Sequence, residues 1–289
     1  MEALFPELTP FRRDTIRLHP RPGRPSPRDS SVGGPLLWPA EEIWPVCRQE
    51  HYLRTFSGER YYDEGEVYLV PIVQIHRKDV PALPFPEGCD LLQVLWCPFT
   101  HIGLYCPEPR VFWRDSRTVE HVAEAPSPDE NAPEQHIPRP CVIHPETVQE
   151  YPSWDLPEEI DDALLDRFEN LEQEQGWSYH YHLSEVPGIK LGGYPGWTQD
   201  PLWPECQWCE RQMEHLLTVS SREYDGESWR TWLPVEDRET DSGEEGGRAH
   251  WGEDAHSPTG MMLGDAGGVY IFECRSCPER PMDYRFDCS

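Results

Sequence analysis

Positive charge is scarce: 25 Lys and Arg stand against 53 Asp and Glu, a formal net charge of -28. A protein that neutralises phosphates needs surplus cations, so a general nucleic-acid binder is excluded. Lysine is almost absent, occurring only as Lys78 and Lys190. Long apolar runs are also missing. No stretch of about 18 apolar residues occurs, so no membrane-spanning helix is expected. The first residues, MEALFPELTPFRRDTIRLHP, contain no apolar core of the length a signal peptide needs, which points to the cytoplasm. Long helices have little room, because 32 Pro and 21 Gly interrupt the chain.

Aromatic residues are plentiful, at 11% with 12 Trp. A disordered acidic chain would be poor in them, so the 289 residues fold. Acidic surfaces of this extent serve solubility and also attract basic proteins.

The chain matches itself. Residues 33–47 read GGPLLWPAEEIWPVC, and residues 192–206 read GGYPGWTQDPLWPEC. At one offset the pairs Gly33/Gly192, Gly34/Gly193, Trp38/Trp197, Trp44/Trp203, Pro45/Pro204 and Cys47/Cys206 are identical. Strand-like runs follow each motif, Val67 to Ile75 and Met213 to Val219, and then Leu91 to Cys97 and Val269 to Cys274. The expectation is a β-rich α+β fold of two pseudo-repeated β halves with a linking helix. Its parts are an N-terminal tail (1–14), a first repeat (15–115), a linker with an acidic loop and a helix (116–174), and a second repeat (175–289). The helix is predicted to start after Leu156-Pro157-Glu158-Glu159, to bury Ile160, Leu164, Phe168 and Leu171, and to stop at Gly176. Residues 124–138 and 236–260 read as charged loops.

Cysteine spacing carries the chemistry. Cys206-x2-Cys209 and Cys274-x2-Cys277 each place two thiolates on one turn, and two such turns complete a tetrahedral zinc site. Four core cysteines or two disulfides are the other reading, which the missing export signal disfavours. The first half offers Cys47-x3-His51 and Cys97-x3-His101 at pseudo-equivalent places, a candidate second structural zinc site. Cys89, Cys106, Cys141 and Cys288 fit no ligand pattern. The Gly-Gly motifs lack the lysine and helix of phosphate loops, and read as turns that let Trp38 and Trp197 pack.

Signals for catalysis are few. No nucleophile elbow or metalloprotease helix is present. His180-Tyr181-His182 would put two imidazoles on one face of a strand, the basis for an alternative reading as a metal-assisted hydrolase.

Gly192, Gly193, Pro195, Trp197 and Gln199, with Gly264-Asp265 and the Val269–Phe272 strand, resemble the YwqG-like bacterial family of domains of unknown function. The stretch DTIRLHPRPGRPSPRDSSVGGPLLWP is similar to one branch of that family. The resemblance implies a duplicated β-rich fold without established catalytic residues. The design is more distantly similar to programmed-cell-death-2-like proteins, chaperones that shield a basic ribosomal protein. That likeness, and a role in toxin neutralisation suspected for the family, imply a non-enzymatic module that engages a basic protein, either a client or a toxin.

Overall fold

The computed structural model describes residues 1–54, 60–63, 65–101, 106–225, 228–237 and 253–288. Its secondary structure is 28% strand and 17% helix, arranged as antiparallel sheets with few helices. This is the β-rich α+β class the sequence predicts.

Twelve strands build two six-stranded sheets. They are β1 (Arg13–Arg17), β2 (Arg21–Pro22), β3 (Ser31–Val32), β4 (Val70–His76), β5 (Leu91–Cys97) and β6 (Glu108–Arg114). The second set is β7 (Cys141–Val142), β8 (Glu146–Glu150), β9 (Lys190–Gly192), β10 (Glu214–Ser220), β11 (Gly268–Glu273) and β12 (Met282–Asp287). Sheet I runs β6-β5-β4-β3-β7-β2, and sheet II runs β12-β11-β10-β9-β1-β8. The orders coincide when each strand is exchanged for the one six places along. The first strand of each set crosses over: β1 pairs with β9, and β7 pairs with β3. Strands β7 and β8 lie within the segment read as a linker, yet each belongs to a sheet.

The register repeats in detail. Ser31 and Val32 face Gln74 and Val73, while Lys190 and Leu191 face Thr218 and Leu217. An irregularity between Pro71 and Val73 in β4 recurs between His215 and Leu217 in β10. Side chains on a strand alternate between faces, so β5 and β11 each serve two cores. Leu92, Val94 and Trp96, with Val269 and Ile271, enter the large cluster that both sheets share. Leu95 and Cys97 turn outward onto Trp38, Trp44 and Cys47. Tyr270, Phe272 and Cys274 turn outward onto Trp197 and Cys206. The repeated tryptophans therefore cap the outer faces. Trp38 and Trp197 are buried and pack against Trp44 and Trp203, with centroids 5.3 and 6.3 Å apart.

Both Gly33 and Gly192 take positive φ, 64° and 70°, at the strand ends that lead into these motifs. At Gly33 a Cβ would also meet the Pro138 carbonyl at 2.6 Å, so the residue is needed for space as well.

Among the described residues the one long helix, α1 (Glu158–Gln175), buries Leu164, Phe168 and Leu171 and ends on Gly176 in the left-handed conformation. Its acids Glu158, Glu159 and Asp161 sit at the positive end of the helix dipole. The N-terminal residues read as a tail instead pack on it. Phe5 and Leu8 are buried, and Phe5 meets Phe168 edge-on at 4.9 Å. Large apolar side chains outweigh the lack of regular structure in Pro6–Phe11, a 3-10 turn.

In the charged loop, residues 238–252 lie outside the described residues. Before them, Arg21 pairs with Asp237. In the other loop, His136 accepts from the Trp96 indole through its carbonyl, 2.8 Å away, which ties that segment to sheet I.

Candidate metal centres

Four short turns present the ligands. Cys47 lies on a two-residue strand, Val46–Cys47, that pairs with Val67–Tyr68. Cys97 is the last residue of β5. His51 and His101 stand directly opposite each other where the strand His51–Arg54 meets Thr100–His101. In the second half Cys206 follows a bridge between Glu205 and Gln212, and Cys274 follows β11. Each of Cys47, Cys97, Cys206 and Cys274 accepts a hydrogen bond from the amide two residues on, at Gln49, Phe99, Trp208 and Ser276. The thiolate-holding turn is thus made four times.

Both predicted ligand sets converge. The donor atoms of Cys47, His51, Cys97 and His101 all lie within 4.8 Å of one another, and so do those of Cys206, Cys209, Cys274 and Cys277. Within the four-cysteine set, Cys206 and Cys277 are 3.8 Å apart at sulfur, and Cys209 and Cys274 are 3.5 Å apart. A tetrahedral zinc with bonds of about 2.3 Å puts sulfurs about 3.8 Å apart, so the cage has the right size. In the other set Cys47 Sγ is 3.9 Å from His101 Nε2, and the two imidazoles have centroids 5.3 Å apart.

Burial differs between the sets, in line with the charge each would carry around a divalent ion. Two thiolates and two neutral imidazoles cancel a divalent ion, and all four of those ligands are buried. Four thiolates around a divalent ion would leave two negative charges. Accordingly Cys209 and Cys277 are only half-buried. In the mixed set His51 Nε2 and His101 Nδ1 are buried without a hydrogen-bond partner. Orphaned buried donors and acceptors are costly, and an ion in the cage removes part of that cost.

Within each set the neighbouring groups shift the cysteines in opposite directions. The hydrogen bond from Cys97, then those from His101, Gln49 and His51, outweigh burial and bring Cys47 down to about 3, while Cys97 is pushed far up by Cys47 and by burial. Burial raises Cys206, but the amides of Trp208 and Cys209 and the neighbouring thiols bring it to about 7. Burial and the neighbouring thiols push Cys277 up to about 12.

His180 and His182 do not form a pair on a strand. They occupy a π-helical turn, Tyr179–Leu183. His180 Nδ1 lies 3.0 Å from Ser153 Oγ, whereas His182 Nδ1 accepts from the Ser178 amide at 2.8 Å. Backbone geometry overrides the alternation expected of HYH, because Phe168 and Tyr179 stack at 4.1 Å and pull the segment onto α1.

Sequence reading misses the buried pair Lys190–Glu150, 2.8 Å apart, with Glu150 also accepting from the Val186 amide. Nothing in either residue's neighbours along the chain marks the pairing. A cleft of about 580 Å³ opens near sheet II, lined by Arg13, Gly193, Trp203, Glu214, His215 and Arg275 among others. None of the eight candidate ligands lines it. Of the four remaining cysteines, Cys106 and Cys141 are buried, and burial first, with Glu108 second, raises Cys106 to about 12.

Comparison of the chain with protein-family models and with curated proteins gives no match.

Proposed function

We propose that this protein is a zinc-stabilised, non-enzymatic binding module that engages a basic protein partner. The observation that carries the reading is the convergence of two four-donor cages at equivalent places of two sheets with the same strand order. The equivalence, down to the shared irregularity in β4 and β10, supports a tandem duplication in which the first strand of each copy was exchanged. Four protein ligands close each cage, so a bound zinc would hold chain segments together and would keep no position for an activated water. Zinc would tie the Cys206 turn to the end of β11, and the Cys47 turn to the end of β5. The net charge of -28 supports a basic partner, since opposite fields speed association. The resemblance to the YwqG-like family and to programmed-cell-death-2-like chaperones accords with this role.

Metal analysis of purified protein tests the reading. Two zinc ions per chain are expected, falling to one in Cys206→Ser and to one in His51→Ala. A wild-type protein without zinc would overturn it. One zinc per chain, unchanged by His51→Ala, would remove the mixed site.

A further inference from the structure

The internal repeat shows what the fold itself requires. In the first set, residues 23–30 suffice to connect β2 to β3. In the second, residues 151–189 connect β8 to β9. The two sheets share one strand order, so the longer connection, which carries α1, is not needed to complete sheet II. It is nevertheless firmly held. Asp155 accepts from the indoles of Trp197 at 3.0 Å and Trp203 at 2.5 Å, and α1 has its own apolar cluster with Phe5, Leu8 and Tyr179.

This ordered insert leaves large apolar side chains in water. Trp154 is 57% exposed, Tyr181 59% and Leu165 47%. Each stands close along the chain to one junction. Ser153, beside Trp154, contacts His180, beside Tyr181, and His180 lies edge-on to Phe168, with Leu165 less than a turn away on α1. The insert is acidic: residues 151–189 contain ten acids and one Arg. That Arg167 is already engaged by Glu7 at 2.7 Å and by the Leu4 carbonyl. Asp161 Oδ1, on the flank of α1 whose charge reaches His180, is shielded from water without a hydrogen-bond partner.

Resting on the proposed binding role, we infer that the insert is the docking surface, and that its occupant is a Lys/Arg-rich segment of a partner protein bearing large apolar side chains. The apolar side chains would cover Trp154, Leu165 and Tyr181. The cations would face Glu158, Asp162, Asp166 and Glu169 on α1. A second copy of this chain is disfavoured, because it would bring the same acids against themselves.

The probe is a short fluorescent peptide of mixed Lys and Leu, titrated against the full chain at physiological salt. The controls are a Lys/Ser and a Glu/Leu peptide. Binding of the Lys/Leu peptide is expected, weakened at least about tenfold by Trp154→Ala and by Tyr181→Ala, as for a central aromatic anchor. Ile43→Ala, at an 89% exposed position outside the insert, should leave it unchanged. Both aromatic variants change exposed side chains, and near-ultraviolet circular dichroism checks their folding. Binding that survives both variants would remove this surface while leaving a basic partner in place. Equal binding of the Lys/Ser peptide would reduce the contact to diffuse charge attraction and overturn the proposal. Failure of the Lys/Leu peptide to bind wild type would overturn the basic-partner reading as well.

Discussion

His215 shows how a single residue's chemistry is set by its position. Its counterpart in the register of sheet I is Pro71, so the fold does not require an imidazole there. Nδ1 faces the Gly192 carbonyl at 2.8 Å and Nε2 faces Thr218 Oγ1 at 3.0 Å. Burial, then the Lys190 and Arg13 cations, bring its pKa down to about 3. In the unfolded chain the imidazole takes a proton near pH 6.5, so the unfolded state binds more protons between the two values. The stability tied to neutral His215 is therefore fully present above pH 6.5 and is lost progressively as pH falls toward 3. Urea unfolding at pH 7.5 and pH 5 should show a smaller loss for His215→Gln than for wild type. The difference should not exceed about 1.4 kcal/mol per pH unit. Acid effects on the thiolates are common to both proteins and cancel in the comparison. Equal slopes would mean that His215 titrates normally in the folded state.

At the scale of elements, α1 depends on a cluster of its own. Phe168 stacks on Tyr179 and meets Phe5, and no residue of the core shared by the sheets belongs to that cluster. Phe168→Ala should cost about 3–5 kcal/mol of local stability. Amide exchange should rise across α1 and residues 1–12, while zinc content stays at the wild-type value. Loss of both ions in this variant would show that the insert and the sheets unfold as one unit. Part of the insert was legible in the chain. Leu164, Phe168 and Leu171 at helical spacing, with Gly176 after them, locate α1 within two residues of its ends. That Phe5 could dock was legible, but its partner Phe168 and the π-helical turn at His180 were not, since both come from aromatic contacts between distant segments.

At the scale of the whole molecule, the two cages differ in their access to solvent. Cys209 and Cys277 are half-buried, whereas Cys47, His51, Cys97 and His101 are all enclosed. A chromogenic chelator should remove the second-half zinc first, giving two-phase release from wild type. The fast phase should vanish in Cys206→Ser. A single phase with two equivalent ions would show that enclosure does not control release. Exchange of β1 and β7 also makes the halves interdependent, because neither sheet is complete without a strand from the other set.

Local chemistry on the chain was enough to determine the turns and the ligands. A cysteine two residues before a free amide, or a glycine that must take positive φ, is specified by its immediate neighbours, and the repeated Trp and Cys spacing announced both ligand sets. Which sheet each strand joins, which faces of β5 and β11 meet the shared core, and how Glu150 finds Lys190 were decided only in three dimensions. Those choices depend on burying apolar area and pairing backbone groups between segments more than a hundred residues apart in some cases, as for Arg13–Arg17 and Glu146–Glu150. Alternation along a strand fixes that it has two faces, and only the assembled neighbours determine which face is which.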